Sequence, residues 1–243
     1  VISKAPLSGV PDGGTSTTLA TGQAAIYSNA SMGLDGTSVY WATYDTGTRV
    51  GAILKAPLTG VPDGGAPTTL VSGPALIHGI VVDGTGVYFT WTQNFTSNTT
   101  AMMAPLSGVP DGGTPTTLVA GLGSPVGIAV DATRIYWANG TGSGSILAAP
   151  KSGIPDGGSP TTLAQGLSYP FGIAVDGTSV YWTDNVASTG AVMKAPLSGV
   201  PDGGSPTTLA SPQDKPSFLV VDGTSVYWTE NVSSGAVMRV TPK

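Results

Sequence analysis

A chain of 243 residues is long enough to bury a core, and its 40% apolar content, with Val, Ile, Tyr and Trp recurring at fixed places, argues against disorder despite 36 Gly and 20 Pro. A net charge of −5, with nine scattered Lys and Arg, excludes a nucleic-acid surface, which needs clustered cations. No stretch approaches the ~20 apolar residues of a membrane span, and the absence of Cys removes both a disulfide framework and thiolate chemistry.

The chain opens at Val1 with neither an initiator Met nor an apolar leader region, the start expected of a processed chain. Richness in Thr, Ser and Gly with only 9% charged residues is typical of exported bacterial proteins. The expected location is therefore secreted, periplasmic or cell-surface.

The first phrase along the chain is KAPLSGVPDGG from Lys4, followed by TTLA at Thr17 and LDGTSVYW from Leu34. All three then return. The aspartate of the first phrase recurs at Asp12, Asp63, Asp111, Asp156 and Asp202, at intervals of 51, 48, 45 and 46 residues. The third phrase reads VDGTGVYF at Val82, VDATRIYW at Val130, and VDGTSVYW at both Val175 and Val221. Five copies with a period of about 46 residues signal a repeat architecture.

Each period holds four apolar runs separated by turn residues, as in GIAVD from Gly172, SVYWTD from Ser179, AVMKAPL from Ala191 and PTTLA from Pro206. Runs this short fit strands, and Gly or Pro interrupts them too often for a helix. Neighbours such as Tyr181 and Trp182 point to opposite faces of a strand, yet both are large, so both faces of each sheet must be covered. In the second copy Phe89 replaces the Trp, and Trp91 lies two residues on, on the same face. The pattern predicts an all-β fold, a β-propeller of four-stranded blades forming one domain over residues 1–243. Third strands number six, from VISKAPL at Val1 to GAVMRVTP at Gly235, against five of every other kind. Two arrangements follow. In the preferred one, five blades close when the N-terminal TTLA joins the C-terminal strands from Phe218 onward. In the other, six blades include an incomplete first blade.

The segment GIAVDGTSVYWTD, from Gly172 to Asp184, resembles the repeat of YWTD β-propellers and related NHL-like proteins, and the resemblance covers nearly the whole chain in five copies. YWTD is intact at Tyr181 to Asp184, becomes YWTE at Tyr227 to Glu230, and reads YWAT, YFTW and YWAN elsewhere. The resemblance implies a motif aspartate that helps tie blades together, a duty only Asp184 and Glu230 are placed to share. It also implies a ring that is typically six-bladed and a role as a binding module.

In an up-and-down blade the turn after strand one, VDGT, and the turn after strand three, SGVPDGG, share one end. Pro sets φ for a turn, Asp caps its own backbone, and the glycines of PDGG and of the Asp-Gly pairs accept positive φ, so turn duty accounts for the repeated phrases. The ten repeat aspartates could instead hold calcium, but each turn has one carboxylate where calcium takes several oxygens. No metal site and no cofactor are expected. The acidic residues left are Asp45, Asp184, Asp214 and Glu230, a thin stock for acid–base catalysis. His78, among apolar neighbours, reads first as a packed residue, and G-x-S-x-G is absent. No catalytic residue is assigned.

The turns at one end are uniform, whereas the segments entering strand one and those linking strands two and three differ from copy to copy. Variable loops on a rigid frame are where binding sits. The candidate ligand residues are Tyr27, Asn29, His78, Tyr169, Phe171 and Lys215, aromatic, amide and charged groups suited to a glycan or a peptide segment. The expected function is non-catalytic binding or scaffolding. The alternatives are a lyase- or lactonase-like enzyme and a structural subunit joined end to end through its terminal strands.

Overall fold

The computed structural model describes residues 1–4, 16–21, 32–62, 65–93, 99–110, 113–140, 143–155, 158–201 and 204–243. Among them every regular element is a β-strand, and no helix is long and apolar enough to cross a membrane. β1 (Ile2–Lys4) and β2 (Thr17–Ala20) form an antiparallel pair. β3 (Met32–Leu34), β4 (Ser38–Asp45), β5 (Val50–Pro57) and β6 (Thr68–Gly73) form the first four-stranded sheet, in chain order. The second contains β7 (Ala75–Val82), β8 (Val87–Gln93), β9 (Thr99–Ala104) and β10 (Thr116–Val119). The third contains β11 (Pro125–Val130), β12 (Arg134–Asn139), β13 (Gly144–Pro150) and β14 (Thr161–Leu167), and the fourth β15 (Pro170–Val175), β16 (Ser179–Asp184), β17 (Gly190–Pro196) and β18 (Thr207–Gln213). β19 (Pro216–Val221), β20 (Val226–Glu230) and β21 (Val237–Val240) form a last sheet of three. The strand kinds agree with the sequence: β1 and β2 pair with the same register and bulge as β17 and β18, which makes them a third and a fourth strand.

The chain divides into two compact units, Val1–Thr96 with Met102–Thr116, and Ser97–Ala101 with Thr117–Lys243. In the first, Trp41 of β4 packs with Ile2, Leu19 and Ala20, while Tyr40, on the opposite face, packs with Ile77, Ile80 and Phe89 of the next sheet. The second unit repeats this. Tyr136 shares a core with Trp182, and Tyr181 one with Trp228. Trp41, Trp137, Trp182 and Trp228 are all buried, as the alternation within VYW requires.

In the first, third and fourth four-stranded sheets both repeated turns stand at one end, because the residue after the third strand donates to the threonine carbonyl of the Asp-Gly-Thr turn, Asp-Ala-Thr in the third: Leu58 to Thr37 at 2.8 Å, Lys151 to Thr133 at 2.9 Å and Leu197 to Thr178 at 3.1 Å. Within the Asp-Gly-Thr turn the aspartate does the holding. Asp35 Oδ1 accepts the amides of Thr37 and Ser38, both at 2.7 Å, and Oδ2 accepts the Tyr40 hydroxyl at 2.5 Å. Asp131, Asp176 and Asp222 bind Tyr136, Tyr181 and Tyr227 in the same way. The expectation that the glycine of this turn needs positive φ is corrected: Gly36, Gly84, Gly177 and Gly223 lie outside that region, and the turn is closed by the carboxylate together with the aspartate amide, which donates to the carbonyl three residues on.

The positive φ lies earlier in the long phrase. Gly60, Gly108, Gly153 and Gly199 have φ of 87–90°, and each amide closes a turn on the proline carbonyl three residues back. The next residue then reaches the preceding copy. Val61, Val109, Ile154 and Val200 donate to the carbonyls of Leu19, Leu70, Leu118 and Leu163 at 3.0, 2.8, 3.1 and 2.8 Å. These leucines lie on fourth strands, so the phrase covers the outer edge of its neighbour. The five PDGG aspartates Asp12, Asp63, Asp111, Asp156 and Asp202 lie outside the described residues.

Candidate functional site

At the end opposite those turns, the second unit brings together the segment 211–217, which enters β19, and the link after β16. Lys215 holds φ of +49°. Its amide donates to Val186 O at 3.1 Å, and its carbonyl accepts the Asn231 amide at 3.0 Å. Ser188, also at positive φ (+59°), donates its amide to Asp214 Oδ1 at 3.0 Å, and the Asp214 amide donates to Glu230 Oε1 at 3.2 Å. Left-handed backbone at two non-glycine residues costs roughly 1–2 kcal/mol each, offset here by these bonds. The loops enclose an open groove of about 630 Å³ lined by Ser188, Asp214, Lys215, Asn231 and Ser233, with Ala187 and Val232.

Asn185 joins this groove to the neighbouring copy. Its amide donates to Tyr169 O at 2.8 Å, and Nδ2 donates to Pro216 O at 2.9 Å. Of the six residues proposed from sequence, Tyr169 and Lys215 are therefore linked through one asparagine. Tyr169 is exposed, and Phe171 is half-buried with its ring edge-on to Phe218, centroids 5.5 Å apart. His78 belongs to the other unit, where it is half-buried with Nε2 3.0 Å from Thr92 Oγ1; burial pushes its imidazole below the ordinary histidine range, so it is neutral at pH 7. Tyr27 and Asn29 lie outside the described residues.

Sequence reasoning missed Asn185 and Asn231, although DNV at Asp184 and ENV at Glu230 share a pattern that could have singled them out. It also expected the motif aspartate to tie copies together. The tie runs instead through the residues on either side of Asp184. Thr183 Oγ1 donates to Ser217 O at 2.7 Å while accepting the Gly172 amide at 3.0 Å, and Asn185 holds Pro216. Asp184 Oδ1 is buried without a hydrogen-bond partner, and burial raises its carboxyl above the ordinary aspartate range.

No known protein-family model and no curated protein sequence matches the chain. Solved structures do. A nidogen–laminin complex aligns with a TM-score of 0.64 at 25% identity, covering 85% of this chain and 74% of that one. A PQQ-bound aldose sugar dehydrogenase from Streptomyces coelicolor aligns at 0.59 and 16% identity over 85% and 76%, and the WD40 β-propeller domain of Doa1 at 0.59 and 13% over 88% and 64%. With the all-β sheets described above, these likenesses give the fold as a β-propeller of four-stranded blades, and the sheets fit five.

Proposed function

We propose that the chain is a non-catalytic binding propeller of the YWTD or NHL-like repeat type, exported from the cell, which holds an extended peptide segment of a protein partner at the variable end of its second unit. The observation that carries this reading is the groove bounded by Lys215, Asp214 and Asn231, whose loops are tied through Asn185 to the exposed Tyr169. An ammonium, a carboxylate, an amide and two serine hydroxyls suit the alternating donors and acceptors of a peptide backbone, and an aromatic face adds area. A protein complex among the structural neighbours supports the same class of partner. The lyase- or lactonase-like alternative would draw on Asp214 or Glu230, and both carboxylates already hold backbone amides of the loop.

The test is a combined peptide and glycan array, followed by titration of the strongest binder against single variants. Lys215→Ala and Tyr169→Ala are each expected to weaken peptide binding roughly tenfold or more. His78→Ala, its imidazole already engaged with Thr92, is expected to leave binding unchanged. Binding that is lost with His78→Ala and kept with the other two, or retention of glycans alone, overturns the assignment.

A further inference from the structure

Two seams of the second unit can be compared position by position. Leu167 and Gln213 each end a seven-residue fourth strand, β14 and β18, and stand opposite a glycine of the third strand, Gly144 and Gly190. Leu167 shares a core with Trp182 of the next sheet, whose indole Nε1 is buried and makes no hydrogen bond. At the following seam Trp228 is 3% exposed, and its Nε1 donates to Gln213 Oε1 at 3.1 Å. A leucine therefore suffices to close such a seam, and the glutamine serves a further purpose.

What differs is the segment that comes next. Ser168 and Tyr169, after Leu167, have ordinary backbone, whereas Asp214 and Lys215, after Gln213, line the groove and Lys215 is left-handed. Gln213 does not line the groove itself. Its side chain joins two parts of the molecule, with Oε1 on the buried indole and Nε2 donating to Pro212 O at 2.7 Å. The other holds on this segment, the Asp214 amide on Glu230 and the Lys215 amide on Val186, end on loop and strand-end residues. Of the three, the Gln213 contact alone ends in the core.

We propose that Gln213 is the positioning residue of the groove: anchored on Trp228, it holds Asp214 and Lys215 in the geometry that receives a ligand. Walls fixed beforehand avoid the ordering cost that a loose segment brings to binding. The effect on binding rests on the peptide-groove reading, whereas the hold on the segment does not.

Amide hydrogen exchange at Lys215, followed by NMR on the full chain, tests the anchor without any ligand. Gln213→Leu is chosen because Leu167 packs with Trp182, and Trp228→Phe because Phe89 holds the equivalent position in the second copy, paired with Ile80 as Trp228 is with Leu219. Each variant is expected to speed exchange at the Lys215 amide by roughly threefold to tenfold, the weight of one hydrogen bond, while the amides of β16 keep their protection. The double variant is expected to exchange no faster than either single one, because both remove the same contact. The array peptide that the parent binds most tightly is expected to bind Gln213→Leu more weakly by a similar factor. Additive increases in the double variant, or Lys215 exchange in Gln213→Leu equal to that of the parent, overturn the anchor. Fast exchange with undiminished peptide binding overturns the positioning role. An array on which no peptide binds overturns the peptide reading instead, and the exchange measurements still decide the anchor.

Discussion

Gly199 and Gly177 show how differently two glycines of one repeat are used. Gly199 has φ of +87° and lies against the backbone of Thr162 and Leu163, where a Cβ would come within 3.3–3.5 Å of three atoms. Gly177 has ordinary φ and nothing within 4 Å of that position. Gly199→Ala is expected to cost roughly 1–2 kcal/mol, or a few degrees of melting temperature, while Gly177→Ala is neutral or slightly stabilising. Thermal melts of the two variants check this, and equal shifts would refute it. The sequence misleads here because Asp-Gly is a familiar turn signal, whereas the glycine of P-L-S-G both closes a turn on the proline carbonyl three residues back and lies against a fourth strand of the preceding copy, a contact that no local signal marks. Asn185 was overlooked for the same reason. Its partners, Tyr169 and Pro216, belong to different copies, so the repeated DNV and ENV mark the position without showing what it ties.

At the scale of elements, alternation and period were enough to place the strands and their kinds, because side chains on both faces of VYW need cover and turn residues bound every run. The pairing of β1 with β2 agrees with the count of six third strands and five fourth ones. β2 also serves the next sheet, since Leu19 and Ala20 share a core with Trp41 and Leu19 accepts the Val61 amide. Deleting Thr17–Ala20 is therefore expected to lower the melting temperature by several degrees and to raise hydrogen exchange at the Val61 amide. A deletion variant that melts like the parent, with Val61 still protected, would show that β2 contributes no cover.

Across the whole molecule, the Asp–Tyr pair repeated in the Asp-Gly-Thr turns sets the pH range of stability. Burial raises the Asp35 carboxyl, but the Tyr40 hydroxyl and the amides and hydroxyl of Thr37 and Ser38's backbone outweigh it and hold it at about 2; backbone amides of Thr224 and Ser225 hold Asp222 at about 2. Burial raises the Asp176 carboxyl too, yet Lys243, at 2.7 Å, and the turn's own donors keep it well below the usual range. A lowered carboxyl stabilises the fold above its unfolded pKa near ~4, and the contribution is lost as pH falls toward the folded value. The tyrosines do the opposite. Burial and then the facing aspartate push Tyr40 and Tyr181 up to about 12, so their contribution is present below ~10 and lost as pH rises through 12. Melting temperature against pH is expected to be flat between about 4 and 10 and to fall on either side. A spectrophotometric titration in which every tyrosine ionises near 10 would contradict it.

The amide that four of the long phrases donate to the preceding fourth strand has a consequence for how such a chain can lengthen. Because a copy carries the cover for its predecessor and not for itself, an in-frame duplication that runs from one phrase to the next adds a strand edge and the group that masks it in the same event. Intermediate lengths therefore never pass through a form with an extra bare edge in the interior. A duplication out of that frame leaves a fourth-strand edge without the amide that masks it.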